Sequence, residues 1–335
     1  MIRIAVDAMG GDHAPTVIVD GAVAAARHLD AGIALVGPAA QLERAVAAHR
    51  DASKLGITIV DAPDVIGMTE PPAAALRRKP RASIRVAAEL VARQEAVALV
   101  SAGHTGATVM AAHAAFGMIP GVDRPALAAT IPTRERPAVL LDAGANVECR
   151  PQHLLQFGVM GSVFAHVAFG TERPGVGLLS IGEEATKGNE LTREAHRLLR
   201  AAPLNFIGNV EGREIYSGLA DVVVCDGFTG NVVLKTSEGL VEVVEGLLGD
   251  ELRGTFSSQV GYLLSRRAFR RFRRRVDYSE YGGATLLGVA GLVIVGHGRS
   301  SAKAIRNAIA MAYRFATTDF IRRVEHEIGA AAIAK

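Results

Sequence analysis

Tryptophan is absent from this chain, tyrosine occurs 5 times and cysteine twice. With so few aromatics, the interior must be packed by the aliphatic residues that bring the hydrophobic fraction to 49%. A chain of 335 residues can remove about three-quarters of its unfolded surface from water, so a large core is available. Two cysteines, Cys149 and Cys225, cannot make a disulfide framework. The opening Met1-Ile2-Arg3-Ile4-Ala5-Val6-Asp7 lacks the basic, apolar and small-residue order of a signal peptide. Both features point to reducing cytoplasm. No run of about 18 uncharged apolar residues occurs, so no bilayer-spanning helix is expected. A formal net charge of +3 says little about partners until the charges are located.

Several signature motifs are missing as well. Neither the loop around Gly10-Gly11 nor the one from Gly182 to Gly188 has the G-x-G-x-x-G or G-x-x-x-x-G-K-[ST] spacing that cradles a dinucleotide or a nucleoside triphosphate. No group of His, Cys and Asp has metal-ligand spacing, and G-x-S-x-G does not occur. The chain is therefore expected to work without a nucleotide cofactor or a metal.

What the chain does have is glycine, 36 residues of it, placed where apolar runs stop. Runs of strand length at 2–6, 33–36, 57–60, 97–100, 138–141, 178–180, 205–207, 222–225 and 292–295 each end in a loop of Gly, Asp, Asn or Ser. Most are uniformly apolar rather than alternating, and helical patterns such as 83–93 and 302–313 separate them. That combination predicts an α/β fold whose largely parallel sheet is covered by helices on both faces. No short repeat or linker divides the chain, so residues 1–335 read as a single catalytic unit, any two lobes being interwoven through one sheet. Ligands in such folds bind beyond the carboxyl ends of the strands, and the Gly-rich loops are expected to converge there on one cleft.

Anion chemistry suits those loops. Gly182 and Gly188 flank Lys187 at a strand-to-helix turn, where backbone N–H groups and the helix N-terminus favour phosphate. Lys187 and Asn189 are candidate phosphate or oxyanion ligands, and Arg299 with Ser300 and Ser301 repeats their setting. His297 or His13 is a candidate proton donor to a leaving group. Asp12, Asp142 and Asp226 are divided between general base, helix cap and turn former. Cys225 follows Val222-Val223-Val224, which favours an inert core thiol over a nucleophile.

Four motifs, Asp7-Ala8-Met9-Gly10-Gly11-Asp12-His13-Ala14-Pro15, Ser101-Ala102-Gly103-His104-Thr105-Gly106-Ala107, Gly182-Glu183-Glu184-Ala185-Thr186-Lys187-Gly188-Asn189-Glu190 and Asp226-Gly227-Phe228-Thr229-Gly230-Asn231, resemble those of the bacterial phosphate acyltransferase family. So do Leu76-Arg77-Arg78-Lys79 with Ser83, Phe206-Ile207-Gly208-Asn209-Val210-Glu211-Gly212, and Asp277-Tyr278-Ser279-Glu280-Tyr281-Gly282-Gly283. The resemblance implies transfer of a long-chain fatty acyl group from acyl carrier protein to inorganic phosphate, giving acyl phosphate for phospholipid synthesis. It also implies a three-layer α/β/α architecture of the isocitrate and isopropylmalate dehydrogenase and phosphotransacetylase kind, and a homodimer built through helices. Together with the residue-level reading it makes Lys187, Asn189, His297 and Asp226 the catalytic candidates. Gly10, Gly11, Asp12, His13, Ser101, His104, Thr105, Asp142, Asn146, Gly182, Thr229, Asn231, Arg299 and Ser300 are the substrate-binding candidates. Two positions depart from the family pattern. His104 stands where Asn is usual, an imidazole that can replace the amide as a donor but adds a titratable group. Thr285 stands where Pro or Ser is expected, a change that would alter a turn rather than the chemistry.

Partners follow from charge and apolar surface. Arg77, Arg78 and Lys79, with Arg81, are candidate contacts for the acidic carrier protein. Residues 235–276 read as a helical hairpin with its turn within 254–261. Around and beyond the turn Val260, Leu263, Leu264 and Phe269, with 7 arginines between 266 and 275, suit an anionic membrane surface. The resemblance implies the same membrane and dimer contacts, at the site where a downstream acyl-phosphate:glycerol-3-phosphate acyltransferase would use the product. Two rival readings are a short-chain phosphotransacylase using acyl-CoA, and a nucleic-acid-binding protein prompted by the Arg and Phe of 266–275. The second has one segment behind it, whereas the Gly-rich loops pervade the chain.

Overall fold

A computed structural model describes residues 2–276 and 281–333, so positions 277–280 of the last motif lie outside the described residues. The first half runs β1 (Ile2–Asp7), α1 (Thr16–Ala26), β2 (Ala31–Gly37), α2 (Ala39–Ala47), β3 (Ile57–Asp61), α3 (Pro72–Arg78), α4 (Ser83–Ala92), β4 (Ala98–Ser101) and α5 (Thr105–Phe116). Then come β5 (Ala126–Ile131), β6 (Ala138–Leu141), α6 (Pro151–Phe169), β7 (Val176–Leu179), α7 (Glu190–Ala201), β8 (Phe206–Val210) and β9 (Val222–Val224). The chain closes with α8 (Gly227–Gly254), α9 (Phe256–Val276), β10 (Ala284–Leu287), β11 (Leu292–Val295), α10 (Ala302–Thr317) and α11 (Phe320–Ile333).

Among the described residues the strands form one 11-stranded sheet in the order β3-β2-β1-β4-β11-β10-β5-β6-β9-β7-β8. Strands β3, β2, β1, β4 and β11 are mutually parallel, and so are β6, β9, β7 and β8. Between them β10 lies antiparallel to both β11 and β5, and β5 antiparallel to β6, so the two parallel sets run in opposite senses. The register then does something that a single parallel set could not. Val295, the last residue of β11, pairs with Ala284 and through it with Ala129, while Leu141, the last residue of β6, pairs with Ala128. The carboxyl ends of the two sets therefore face each other across adjacent rungs of β5. Convergence of the loops is real, but it comes from opposed sets and not from one common edge.

β5 and β10 are additions to the strands expected from sequence. β5 is Ala126-Leu127-Ala128-Ala129-Thr130-Ile131, poor in β-branched residues, and becomes a strand because both neighbours pair with it and both its faces are buried. β8 extends to Val210, which puts Gly208 and Asn209 in a strand and not in the expected loop. Thr285 likewise sits inside β10, fully buried with its hydroxyl 3.5 Å from the Met311 sulfur, so it alters no turn.

Both faces of the sheet are covered. Ile18, Phe157, Ile305 and Phe320 pack from α1, α6, α10 and α11 on one side, and Ile84, Ala88 and Ala111 from α4 and α5 on the other. Helices α1 and α10 approach so closely that a Cβ at Gly21 would lie 2.5 Å from Ile305 Cβ. The scarce aromatics are concentrated. Phe164 meets Phe315 edge-on at 5.3 Å, and Phe315 stacks on Phe320 at 4.7 Å. Such pairs each add about 0.5–1.5 kcal/mol beyond the area they bury.

The hairpin is present as α8 and α9, joined at Thr255, whose hydroxyl accepts the Ser258 N–H at 3.1 Å. α8 begins at Gly227, earlier than residue 235, because Asp226 caps it. Leu240, Val243, Val244 and Leu247 of α8 and Phe256, Val260, Leu263 and Leu264 of α9 are exposed. Phe269 differs from expectation, for its ring packs on Tyr262 at 5.2 Å and lines the cavity between the two helices, facing inward. No helix among the described residues is long and apolar enough to cross a membrane.

Candidate active site

Where the two sets of strands face each other lies a cavity of about 520 Å³. Its floor is Leu127, Ala129 and Val295, and its walls come from the loops after β1, β4, β6, β9 and β11. Apolar Met68, Val147, Phe228 and Leu234 line it beside polar Asp12, Thr105, Asn231, Lys235, Glu238, His297 and Arg299. An amphiphilic ligand fits such a lining better than a purely polar one.

Three loops are stitched into one unit beneath the polar side. Buried Asp7 accepts the Ser101 hydroxyl at 2.7 Å and the Met9 N–H at 3.3 Å, and Ser101 Oγ accepts the Gly103 N–H at 3.1 Å. Burial pushes the Asp7 carboxyl up, partly opposed by these hydrogen bonds. The Asp12 N–H donates to Gly298 O at 2.8 Å, and a Cβ at Gly10 would lie 2.6 Å from Gly103 N. Ser101 thus supports the loops, and Gly10 lets them touch. Gly11, at φ +107°, takes the left-handed backbone this turn needs.

The β6 loop has its own organiser. Asp142 is fully buried and collects N–H groups from Leu127, Gly144, Ala145 and Asn146 and the Asn146 amide, while that amide also donates to Pro125 O. The Asp142 carboxylate and the Asn146 amide nitrogen are thus spent inside the loop and not on a substrate, which corrects their expected binding role. Asp226 is likewise committed. Its oxygens accept the Thr229 N–H at 2.9 Å and hydroxyl at 2.7 Å, so both residues build the α8 cap rather than acting on a ligand. Cys225 is buried, and desolvation raises its thiol well above the ordinary range, which suits a core thiol. His104 accepts the Gly106 N–H at Nδ1 at 3.1 Å as the N-cap of α5, which leaves the ring proton, and so a donor, on Nε2. A neutral amide oxygen in that place would do the same.

The Lys187 loop lies elsewhere. It follows β7, with β9 between that strand and β6, and neither Gly182, Lys187 nor Asn189 lines the cavity. Asn189 Oδ1 accepts the Thr192 N–H at 2.9 Å as the cap of α7. Asn209 donates to Gly182 O and Glu184 O, and Arg193 donates to Gly188 O, so the loop is closed on itself. His13 is exposed and outside the lining, and Ser300 is buried in a turn with its N–H on His297 O.

The reactive set therefore gathers on the β11 loop and the first turns of α8. Lys235 and Glu238 were not anticipated. The hairpin read from 235 already sets them at i, i+3 on one helix, and the earlier start of α8 at Gly227 is what joins that helix to the β9 loop and so to the cavity. Lys235 Nζ donates to Glu238 Oε2 at 2.7 Å and lies 3.2 Å from His297 Nε2, while the Arg299 N–H donates to His297 Nδ1 at 3.3 Å. Burial, with the Lys235 charge next, holds His297 below its ordinary value of 6.5, so the ring is neutral at pH 7. The Arg299 guanidinium reaches Glu242 at 3.3 Å, both side chains being well exposed.

Arg77 and Arg78 are exposed in the last turn of α3, and neither lines the cavity. Lys79 departs from the expected docking role. Its ammonium is clipped to Glu70 at 2.5 Å and Val65 O at 2.6 Å, tying α3 to the loop that carries Met68. Arg81 is similarly paired with Asp61 at 2.9 Å.

The fold has known counterparts. A phosphotransacetylase from Streptococcus pyogenes superposes with a TM-score of 0.59 at 18% identity, covering 95% of this chain and 94% of that one. A 4-hydroxythreonine-4-phosphate dehydrogenase from Klebsiella pneumoniae gives 0.51 at 17%, covering 94% and 99%. The molecule is thus an α/β protein of the fold that these enzymes share. Residues 2–323 match the family described as fatty acid synthesis protein. The phosphate acyltransferase of Syntrophotalea carbinolica is 54% identical over 311 residues, 93% of this chain and 89% of that protein. The chain belongs to this family and is an acyltransferase of the phosphate acyltransferase group, in lipid synthesis.

Proposed function

We propose that the enzyme transfers a long-chain fatty acyl group from acyl carrier protein to inorganic phosphate, releasing acyl phosphate for phospholipid synthesis. The supporting observation is the cavity itself, whose lining sets apolar Met68, Val147 and Phe228 among charged and histidine side chains, with Met68 packed against Gly298 between His297 and Arg299. An acyl thioester and a phosphate need those two environments side by side. The thioester is already activated and phosphate is the nucleophile, so positioning and oxyanion stabilisation suffice without a covalent enzyme intermediate.

Chemically, a phosphate oxygen attacks the thioester carbonyl carbon, the tetrahedral oxyanion collapses, and the C–S bond breaks. Starting from hydrogen phosphate, the proton lost by phosphate is the one the departing sulfur gains, so the reaction balances without another reagent. Neutral His297 is suited to take the first and give the second. Arg299, released from Glu242, binds phosphate. Glu242→Gln should accordingly lower the KM for phosphate about twofold, the small effect an exposed ion pair permits, and a KM that rises would contradict competition at Arg299.

Arg77 and Arg78 are the proposed contacts for the acidic carrier, being exposed on α3, the helix that Lys79 ties to the loop carrying Met68. The exposed apolar face of the hairpin is proposed to serve the dimer along α8 and an anionic membrane at Val260, Leu263 and Leu264, where the downstream acyltransferase would take over the product. Leu263→Glu with Leu264→Glu should abolish co-sedimentation with anionic vesicles at high salt while leaving transfer in solution intact. Equal sedimentation of variant and wild type would exclude insertion at this tip.

The deciding assay is incubation with palmitoyl-acyl carrier protein and labelled phosphate, the expected product being a labelled, hydroxylamine-sensitive acyl phosphate. Turnover of acetyl-CoA with none of the carrier substrate would instead support the short-chain phosphotransacylase reading.

A further inference from the structure

Helix α8 does more than lead into the hairpin. Lys235, Glu238 and Glu242 occupy positions i, i+3 and i+7 of it, one helical face, and all three engage the β11 loop that carries His297 and Arg299. Lys235 and Glu238 both line the cavity. Glu238 is only 13% exposed, so it is a largely buried carboxylate that fixes the ammonium on the cavity side. The second observation concerns His297. A neutral imidazole has a single lone-pair nitrogen. Here the Arg299 N–H points at Nδ1 and the Lys235 ammonium at Nε2, so one ring cannot accept from both. Lys235 keeps its bond to Glu238, and an ammonium carries three donors, so another can turn from the imidazole to an anion in the cavity.

We propose that Lys235 is a phosphate-binding residue of this site, presented by α8 and held in place by Glu238, with its ammonium placed to take a phosphate oxygen beside Nε2 of His297. Phosphate bridging Lys235 and the Arg299 loop resolves the competition for the imidazole lone pair. It also leaves Nε2 next to the nucleophile. The inference rests on the phosphate-transfer reading above, but it makes a separate claim about which cation holds the anion.

The test uses the full chain and inorganic phosphate itself. Lys235→Gln should raise the KM for phosphate by about tenfold or more, the loss expected for a charge-assisted hydrogen bond, while the KM for the acyl donor stays within about twofold. Lys235→Arg should restore most of the phosphate affinity. In parallel, the rise in Tm produced by inorganic phosphate over chloride at equal ionic strength should be present in wild type and absent in Lys235→Gln. That binding measurement stands without turnover: if wild type makes no acyl phosphate yet loses its phosphate-dependent Tm rise on Lys235→Gln, the transfer reading fails and this inference holds. An unchanged phosphate KM and Tm rise in Lys235→Gln overturns it. So does an equal loss of affinity for phosphate and acyl donor, which a merely structural lysine would give. Absence of any phosphate effect on wild type overturns both.

Discussion

Asp142→Asn is expected to lower the unfolding free energy by about 3 kcal/mol, the largest stability loss from any single conservative change at this site. The carboxylate is completely buried. Oδ1 accepts N–H groups of Leu127, Gly144 and Ala145 at 2.9, 3.1 and 2.9 Å, and Oδ2 accepts the Asn146 N–H at 2.7 Å and its amide at 2.8 Å. Every partner is a donor. An amide keeps one acceptor oxygen and turns two hydrogens against the remaining donors, so isosteric replacement strands buried N–H groups instead of merely weakening bonds. Burial already pushes this carboxyl up, opposed by the same donors. The β6 loop also contributes Gly144 and Val147 to the cavity, so acyl transfer should fall with stability. A urea titration measures it, as a lower midpoint with an unchanged slope. A loss below about 0.5 kcal/mol would mean that the loop is not organised by Asp142.

Arg299→Ala should raise the KM for phosphate by about 10- to 100-fold with little change in Tm, whereas Lys187→Ala should change neither by more than about twofold. The difference follows from placement. Arg299 is at the cavity, beside His297 and opposite Lys235, and 62% of its side chain is exposed, so truncation removes charge but almost no packing. Lys187 is also an exposed loop lysine between glycines, yet its loop is closed on itself behind Asn209 and belongs to β7. Steady-state kinetics at varied phosphate decides between them. A large effect at Lys187 with none at Arg299 would move the anion site to the β7 loop.

The uniformly apolar runs ending in glycine determined the α/β class, because burial on both faces of a parallel strand leaves no room for alternation. The helical hairpin was legible for a similar reason, the 3.6-residue spacing of Leu240, Val243, Val244 and Leu247. The order of motifs from Asp7 to Asn231 was specific enough to indicate the family on its own. The sequence could not separate residues that build a loop from those that use it. Asp142, Asp226, Asn189 and Ser101 are polar residues after strands, as Arg299 and His297 are. Only coordinates show that the first four spend their oxygens on backbone N–H groups or on Asp7. Nor could local pattern reveal β5, an alanine-rich strand made by pairing across long sequence separations. Yet β5 and β10 oppose the two parallel sets and bring Val295 and Leu141 to neighbouring rungs. Periodicity is a local property and was fixed by the chain. Which loops meet depends on strand order and register, non-local choices that the tertiary structure alone decided.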